Sequence, residues 1–367
     1  MIISVLFYSF VVSAAIQMMY YLSFSSFLFK DKKKERASKE MPISVVICAK
    51  NEAKNLQKFL PSILEQNYSN YEVVLINDAS SDETADVMEA FKEKNANIKI
   101  ISVENTEAFW GNKKYALTLG IKAAKNEHLL FTDADCKPVS KEWITAMTQN
   151  FSTKKTIVLG YGKYKKTKDF INIFVRFETL LTAIQYFSYA KLGSPYMGVG
   201  RNLAYAKTAF FTVNGFIKHI KIRSGDDDLF IQDAANKENT QICISENSFT
   251  ESEAPNSLNE WFQQKRRHIS TAHYYKKKHQ FFLGLFFFSK VFLLISTAIL
   301  FFFYPWEIIL PIILTYYLVQ YIVVGFSSKK LNEPQVIYFL PFLEICLILF
   351  QFSIFMTNLI SKPNHWK

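Results

Sequence analysis

The sequence predicts an α/β fold, a doubly wound and mostly parallel sheet carried between membrane-spanning helices. Three observations predict it. From Met41 onward, short β-branched apolar runs alternate with segments of helical spacing, the pattern of a parallel sheet wrapped by helices. Polar clusters recur at the carboxyl ends of those runs, the edge where open α/β sheets bind ligands. Apolar residues make up half of the 367 and collect at the two ends, Ile2 to Phe29 and Phe281 to Ile360, leaving a middle of mixed composition.

The amino-terminal stretch lacks a basic n-region and outruns the ~7 to 15 apolar residues of a signal peptide, so a retained signal anchor over 1–29 is expected. The basic run after it, Lys30, Lys32, Lys33, Lys34, Arg36 and Lys39, marks a cytoplasmic flank. The amino terminus is then outside, and the globular domain, 41–278, is cytoplasmic on the inner cell membrane. Within it, strands are expected at Ile43 to Ala49, Tyr71 to Ile76, Ile98 to Val103 and Glu127 to Phe131. Helices are expected at Asn55 to Gln66, Glu83 to Lys94 and Lys113 to Lys125, the first with Leu56, Phe59, Leu60, Ile63 and Leu64 on one face. Lys50-Asn51-Glu52, Asn77-Asp78-Ala79-Ser80 and Asp133-Ala134-Asp135 all fall at the ligand-binding edge.

In the last cluster, Asp133 and Asp135 point the same way in an extended chain. Like charges so close call for a cation, and a divalent ion bound to a diphosphate suits oxygen ligands at a strand end; an isolated D-x-D is also an ordinary turn. Neither G-x-G-x-x-G nor G-x-x-x-x-G-K-[ST] follows any strand, so phosphates must be held by metal and basic side chains. The net charge of +11 sits beside the apolar ends, in the run above and in Lys265, Arg266, Arg267, Lys276, Lys277 and Lys278. That placement points to anionic lipid and away from nucleic acid. Cys48, Cys136, Cys243 and Cys346 show no C-x-x-C pairing and read as reduced structural thiols.

Beyond Tyr275 two or three further spans are expected within 281–360. Phe281 to Phe303 contains Lys290, so its helix either starts near Val291 or lets Lys290 snorkel to the inner surface. Ile308 to Phe326 spans, and Ser327 to Lys330 returns a basic loop to the cytoplasm. Val336 to Ile360 is broken by Pro341 and carries Glu344, which is functional, paired with Lys290 or near the surface.

The segment Pro42 to Tyr275 resembles a family 2 glycosyltransferase of the GT-A fold, of the membrane-anchored bacterial type related to processive polysaccharide synthases. The resemblance rests on Val45-Val46-Ile47-Cys48-Ala49-Lys50-Asn51-Glu52, on Asn77-Asp78-Ala79-Ser80-Ser81-Asp82-Glu83-Thr84, on Gly111-Asn112-Lys113-Lys114-Tyr115-Ala116-Leu117 and on Thr132-Asp133-Ala134-Asp135. Later come Gly200-Arg201-Asn202-Leu203-Ala204-Tyr205, Gly225-Asp226-Asp227-Asp228-Leu229 and Gln264-Lys265-Arg266-Arg267-His268, in the family's order. It implies that Ala49, Glu52 and Asp78 cradle the nucleoside of a nucleotide sugar, UDP-linked by expectation, with Lys113 near the donor. Asp135 would hold Mg or Mn on the diphosphate, with Asp133 nearer the nucleoside. Asp226 matches the base that takes the acceptor proton; Gly225 stands where the family has Glu, which leaves a shift to Asp227 open.

Gln264 and Arg267 match the Q-x-x-R of the diphosphate and acceptor site, on a helix from Leu258 to about Tyr275, and His268 replaces its Trp. The implied activity is inverting, metal-dependent transfer of a hexosyl or N-acetylhexosaminyl group to a lipid-linked or growing glycan acceptor. Processive synthesis is the alternative, disfavoured because a polymer channel needs more wall than about four helices give. An inactive membrane scaffold is the rival, disfavoured because both acidic sites are intact.

Overall fold

The computed structural model describes residues 1–29, 41–104 and 113–361; the basic run Lys30 to Lys39 and the Gly111-Asn112 pair lie outside them. A long helix, α1 (Ile2–Phe24), leads to β1 (Ile43–Ala49), α2 (Ala53–Leu64), β2 (Tyr71–Asp78), α3 (Thr84–Lys94), β3 (Ile98–Val103), α4 (Lys113–Ala123) and β4 (His128–Phe131). Shorter elements come next: β5 (Cys136–Pro138), α5 (Trp143–Thr148), β6 (Ile157–Leu159) and β7 (Gly162–Tyr164). Then come α6 (Phe170–Lys191), β8 (Leu203–Ala206), α7 (Lys207–Thr212), α8 (Asp228–Ala234), β9 (Thr240–Ile242), β10 (Thr250–Ser252) and α9 (Leu258–Ile269). Three apolar helices close the described chain: α10 (Lys277–Phe303), α11 (Trp306–Lys330) and α12 (Leu340–Ile360).

The main sheet runs in the order β3-β2-β1-β4-β8-β6-β9, and β5-β10-β7 form a second small sheet. The first four strands are parallel, as their alternation with helices predicts; β8 is antiparallel to β4 and β6, which makes the sheet mixed. Nearly every residue of β1 and β2 is buried because helices cover both faces of these continuous apolar runs. On one face α2 seats Leu56, Leu60 and Ile63. On the other, α4 lies so close that a Cβ on Gly120 would collide with the Ile76 side chain.

No periodicity announces α6, whose Phe-, Ile- and Leu-rich run is apolar on most sides. It is buried between the small strands and α1, α11 and α12. The helix expected from Leu258 to about Tyr275 stops at Ile269, and a 3-10 turn over Ala272–Tyr274 separates α9 from α10.

Four helical segments, Ile2–Leu28, Lys277–Phe303, Trp306–Lys330 and Pro334–Ile360, are long and apolar enough to cross a membrane. The first three pack on one another: Phe7 stacks on Tyr304 at 4.5 Å near one end, and Phe24 meets Phe286 at 5.3 Å near the other. Lys290 neither shortens its helix nor snorkels. The helix runs unbroken across it, and its ammonium is buried 2.5 Å from the Glu344 carboxylate and 2.7 Å from the Tyr21 hydroxyl. Of the readings open for Glu344, the geometry therefore selects pairing with Lys290. Gln320 and Tyr316 also donate to Glu344, at 2.6 and 3.1 Å. A charge so partnered need not reach water, so the helix has no reason to start late. Pro341 marks the break expected there: residues Pro334–Phe339 form a 3-10 helix, and α12 starts at Leu340 with Pro341 in its first turn, where a missing N–H costs nothing.

Candidate active site

The loops after β1 and β2 form the first wall. Asn51 and Ala79 both have positive φ, 56° and 50°, an uncommon conformation for residues other than glycine. Side chains lace the two loops together: the Ser81 amide donates to Asn51 Oδ1 at 2.8 Å, and the Asn51 amide donates to Ser80 Oγ at 3.0 Å. Glu52 lies against Asn55 at 2.6 Å; burial, with Asp135 and Asp133 nearby, raises its pKa. Burial also raises that of Asp78, against the pull of Lys50 and Lys113. Glu52 faces the central cavity, whereas Ala49 and Asp78 are buried behind its wall.

Asp133 and Asp135 come directly after β4. Their carboxylate oxygens and the Cys136 sulfur lie within 4.8 Å of one another. The Cys136 thiol stays protonated, because burial pushes its pKa well up, and it donates to Asp135 at 3.3 Å. Burial and then Asp133 raise the pKa of Asp135 as well. Two crowded carboxylates suit a hard divalent cation, and the thiol is a donor to them instead of a ligand.

The second acidic site comes into contact with the first. Lys113 Nζ lies 2.8 Å from Asp133 and 3.3 Å from Asp226, so one ammonium bridges carboxylates that are far apart in the chain. Burial works against its charge, but the two carboxylates overcome this and raise its pKa. Its neighbour Lys114 faces the other way and donates to the His219 and Ile222 carbonyls at 2.9 Å, tying down the loop that leads to Gly225. Gly225 itself has φ +87°, and a Cβ there would meet Leu229 at 2.7 Å. A Glu in this backbone conformation would be strained.

The three aspartates then take different duties. For Asp226, burial alone would raise the pKa, but Lys113 outweighs it and holds the carboxyl below its ordinary value. Asp227 caps α8: one oxygen accepts from the Gly200 amide and the other from the Asp228 amide, each at 2.7 Å. Burial, Asp226 and Asp228 push its pKa up to about 8, against the pull of those amides. Asp228 is buried and accepts from the Thr271 and Tyr275 hydroxyls at 2.5 and 2.6 Å.

The α9 residues form the third wall. Gln264 reaches the Tyr164 hydroxyl at 3.4 Å, and the guanidinium of the half-buried Arg267 has no hydrogen bond or ion pair among the described residues. His268 opens onto the cavity with protein around it; burial, Lys265, Arg267 and Arg201 hold its pKa down to about 3, so the ring is neutral. Together these walls enclose a cavity of about 970 Å³. It continues past Asp226 and Arg267 to apolar walls on α10 and α12, among them Leu283, Phe286, Leu347 and Phe355.

The geometry also recruits residues to which sequence reasoning assigned no role. Arg201 lies 4.3 Å over the Tyr164 ring and donates to Ser252 at 3.1 Å, with Asp135 nearby. Its place in Gly200-Arg201-Asn202 was the available signal. Thr271 and Tyr275 carried none, since their roles arise only when the chain returns to Asp228.

Residues 44–207 match the family model described as glycosyl transferase family 2. A poly-beta-1,6-N-acetyl-D-glucosamine synthase of Staphylococcus epidermidis is 38% identical over 93 residues, 25% of this chain and 21% of that protein. The Escherichia coli UDP-Glc:alpha-D-GlcNAc-diphosphoundecaprenol beta-1,3-glucosyltransferase WfaP is 26% identical over 132 residues, 35% of this chain and 48% of that protein. The chain spans about a third of the length of most curated relatives it matches, 21% to 48% in all. Among solved structures, the mannosyltransferase PcManGT from Pyrobaculum calidifontis, in complex with GDP-Man and Mn2+, shares the fold. The TM-score is 0.61 at 15% identity, over 92% of this chain and 97% of that one.

Proposed function

We propose that this protein, whose residues 44–207 match the glycosyl transferase family 2 model, is a membrane-bound inverting transferase that adds a single sugar to a lipid-linked acceptor from a cytoplasmic nucleotide sugar. One observation carries the reading. The cavity runs without interruption from Asp133, Asp135 and Asp226 to the apolar walls of α10 and α12, so an acceptor with a polar head and a long apolar chain fits it end to end. WfaP, by its name, acts on a diphosphoundecaprenol-linked sugar, which supports an acceptor of this class.

The nucleotide lies along the β1 and β2 loops, near Glu52. Asp135, with Asp133, would hold Mg or Mn, which when bound offsets charge on the departing diphosphate. Lys113 and Arg267 add positive charge around that leaving group. Asp226 is the aspartate of its cluster that faces Lys113, whereas Asp227 and Asp228 are tied to amides and hydroxyls of the fold, and its low pKa keeps it ionised near neutrality. It accepts the proton of an acceptor hydroxyl while that oxygen attacks the anomeric carbon from the face opposite the diphosphate. Asp227 holds the turn.

The test is reconstitution in liposomes with Mn or Mg, a panel of nucleotide sugars and a bacterial lipid extract. The expected product is lipid-extractable and carries one added sugar. A ladder of long glycan would establish the processive reading. Absence of transfer from any donor would remove the enzymatic reading.

A further inference from the structure

Length and composition make Pro334–Ile360 a fourth span, but its contacts point elsewhere. We infer that α12 does not cross the bilayer: it lies in the leaflet next to the catalytic domain, with one face on α6 and α9 and the other on acyl chains.

Contacts with the globular domain recur along the whole helix. Just before α12, Glu333 is buried against Arg176 of α6, whose Nε donates to it at 2.8 Å. Phe342 then meets Phe170 of α6 at 5.8 Å. Two turns on, Phe350 stacks on Trp261 of α9 at 4.3 Å and meets Phe174 of α6 at 5.6 Å. At the far end, the Arg266 guanidinium of α9 donates to Asn358 Oδ1 and to the Ser361 carbonyl, both at 2.8 Å. The run from Phe342 to Ser361 is roughly 28 Å long at ~1.5 Å per residue. A helix of that length leaving along the membrane normal would place Ser361 across the ~30 Å hydrocarbon core. Here its last turn is held by the same 12-residue helix that presents Gln264 and Arg267 to the cavity.

The outer face identifies the occupant. Leu349, Met356 and Leu359 are 62%, 42% and 67% exposed. They continue the apolar outer surface of α10 and α11, where Phe288, Phe302 and Leu318 are also exposed. Among the described residues, one hydrogen-bonded cluster joins α12 to the three-helix bundle, at Glu344 with Lys290, Tyr21, Tyr316 and Gln320, near the start of α12. A helix that touches the bundle there and the globular domain along its whole length lies in the plane of the leaflet, as interfacial helices do.

The experiment is a depth profile in liposomes. Single cysteines at Ile345, Leu349, Met356, Leu359 and Ile360, in a variant whose four native cysteines are replaced, carry spin labels read by collision with oxygen and with a water-soluble nickel chelate. All five are expected to contact oxygen at depths within about 5–10 Å of one another in a single leaflet. A steady change of ~1.5 Å per residue through the bilayer centre would overturn the inference, and so would loss of oxygen contact, which would put a second protein surface on this face in place of lipid. Should the cysteine-free variant not fold, epitope tags in the native chain decide the same point. A tag after Ser361 should become accessible in sealed vesicles together with one at Ser152 and opposite to one at Pro305. Pairing of Ser361 with Pro305 would sink the proposal.

Discussion

Replacing Asp226 with Asn changes one charge at nearly constant shape, so its surroundings determine the outcome. The Asp226 carboxylate is 18% exposed and lies 3.3 Å from the Lys113 ammonium. Losing a general base costs about 10²- to 10⁴-fold in turnover, which is about 3 to 5 kcal/mol of transition-state stabilisation. Donor binding should move the other way or not at all. Lys113 keeps Asp133 at 2.8 Å and, relieved of its second carboxylate, is freer to meet a diphosphate. Nucleotide affinity is therefore expected within about threefold of wild type. Calorimetry with the nucleoside diphosphate and metal reads the binding, and diphosphate release with lipid extract reads the turnover. Asp227→Asn is the contrast: an amide cannot accept from both the Gly200 and Asp228 amides, so the expected loss is about 1–3 kcal/mol of stability. Turnover per folded molecule should stay within about tenfold. If Asp226→Asn kept turnover within tenfold, or lost nucleotide binding in step with turnover, the assignment of the base would be wrong.

Asp135→Ala, or EDTA on the unaltered protein, should abolish transfer while the melting temperature stays near or above its starting value, because removing one of two crowded carboxylates relieves repulsion; full activity in EDTA would refute the metal reading. Glu344→Gln should destabilise the detergent-solubilised protein by about 3–5 kcal/mol by leaving the Lys290 ammonium buried without its counter-charge, and adding Lys290→Met should restore most of it, as a double-mutant cycle of denaturation would show. Acid should weaken the packing around buried His219, whose pKa sits at about 4. A histidine with a depressed folded pKa contributes stability above its unfolded value of ~6.5 and loses it as pH falls toward the folded value. Buried Asp227, with its pKa pushed up to about 8, works in the opposite direction over the same range, so the histidine is read by difference: the melting temperature of the unaltered protein minus that of His219→Gln should fall between pH 7 and 4, and a pH-independent difference would contradict this.

What the sequence disclosed depended on range. β1, β2 and their polar ends were legible because a strand and its loop are contiguous, and Asp133 and Asp135 because a two-residue spacing fixes a shared face. Strands of three residues, such as β6 and β9, are too short to show a period, and α6 is apolar on too many sides to show one. The bridge from Asp133 through Lys113 to Asp226 joins three distant parts of the chain, so the two acidic sites read as separate until the sheet brought them together. Lys290 and Glu344 were each visible as anomalies in apolar runs. Only the packing of α1, α10, α11 and α12 shows that they satisfy each other.

The two hydroxyls on Asp228 tie the loop of Asp226 mechanically to the start of α10, one of the helices long and apolar enough to cross a membrane. Thr271 and Tyr275 lie in the short joint between α9 and α10, and Asp228 lies two residues from Asp226. Any tilt of α10 that pulls on the joint therefore tugs the loop carrying Asp226, the proposed base, while the sheet edge proposed for the nucleotide stays put. Bilayer thickness should then act as a throttle on turnover that leaves donor affinity untouched, a separation measurable by stepping the acyl-chain length of the liposomes.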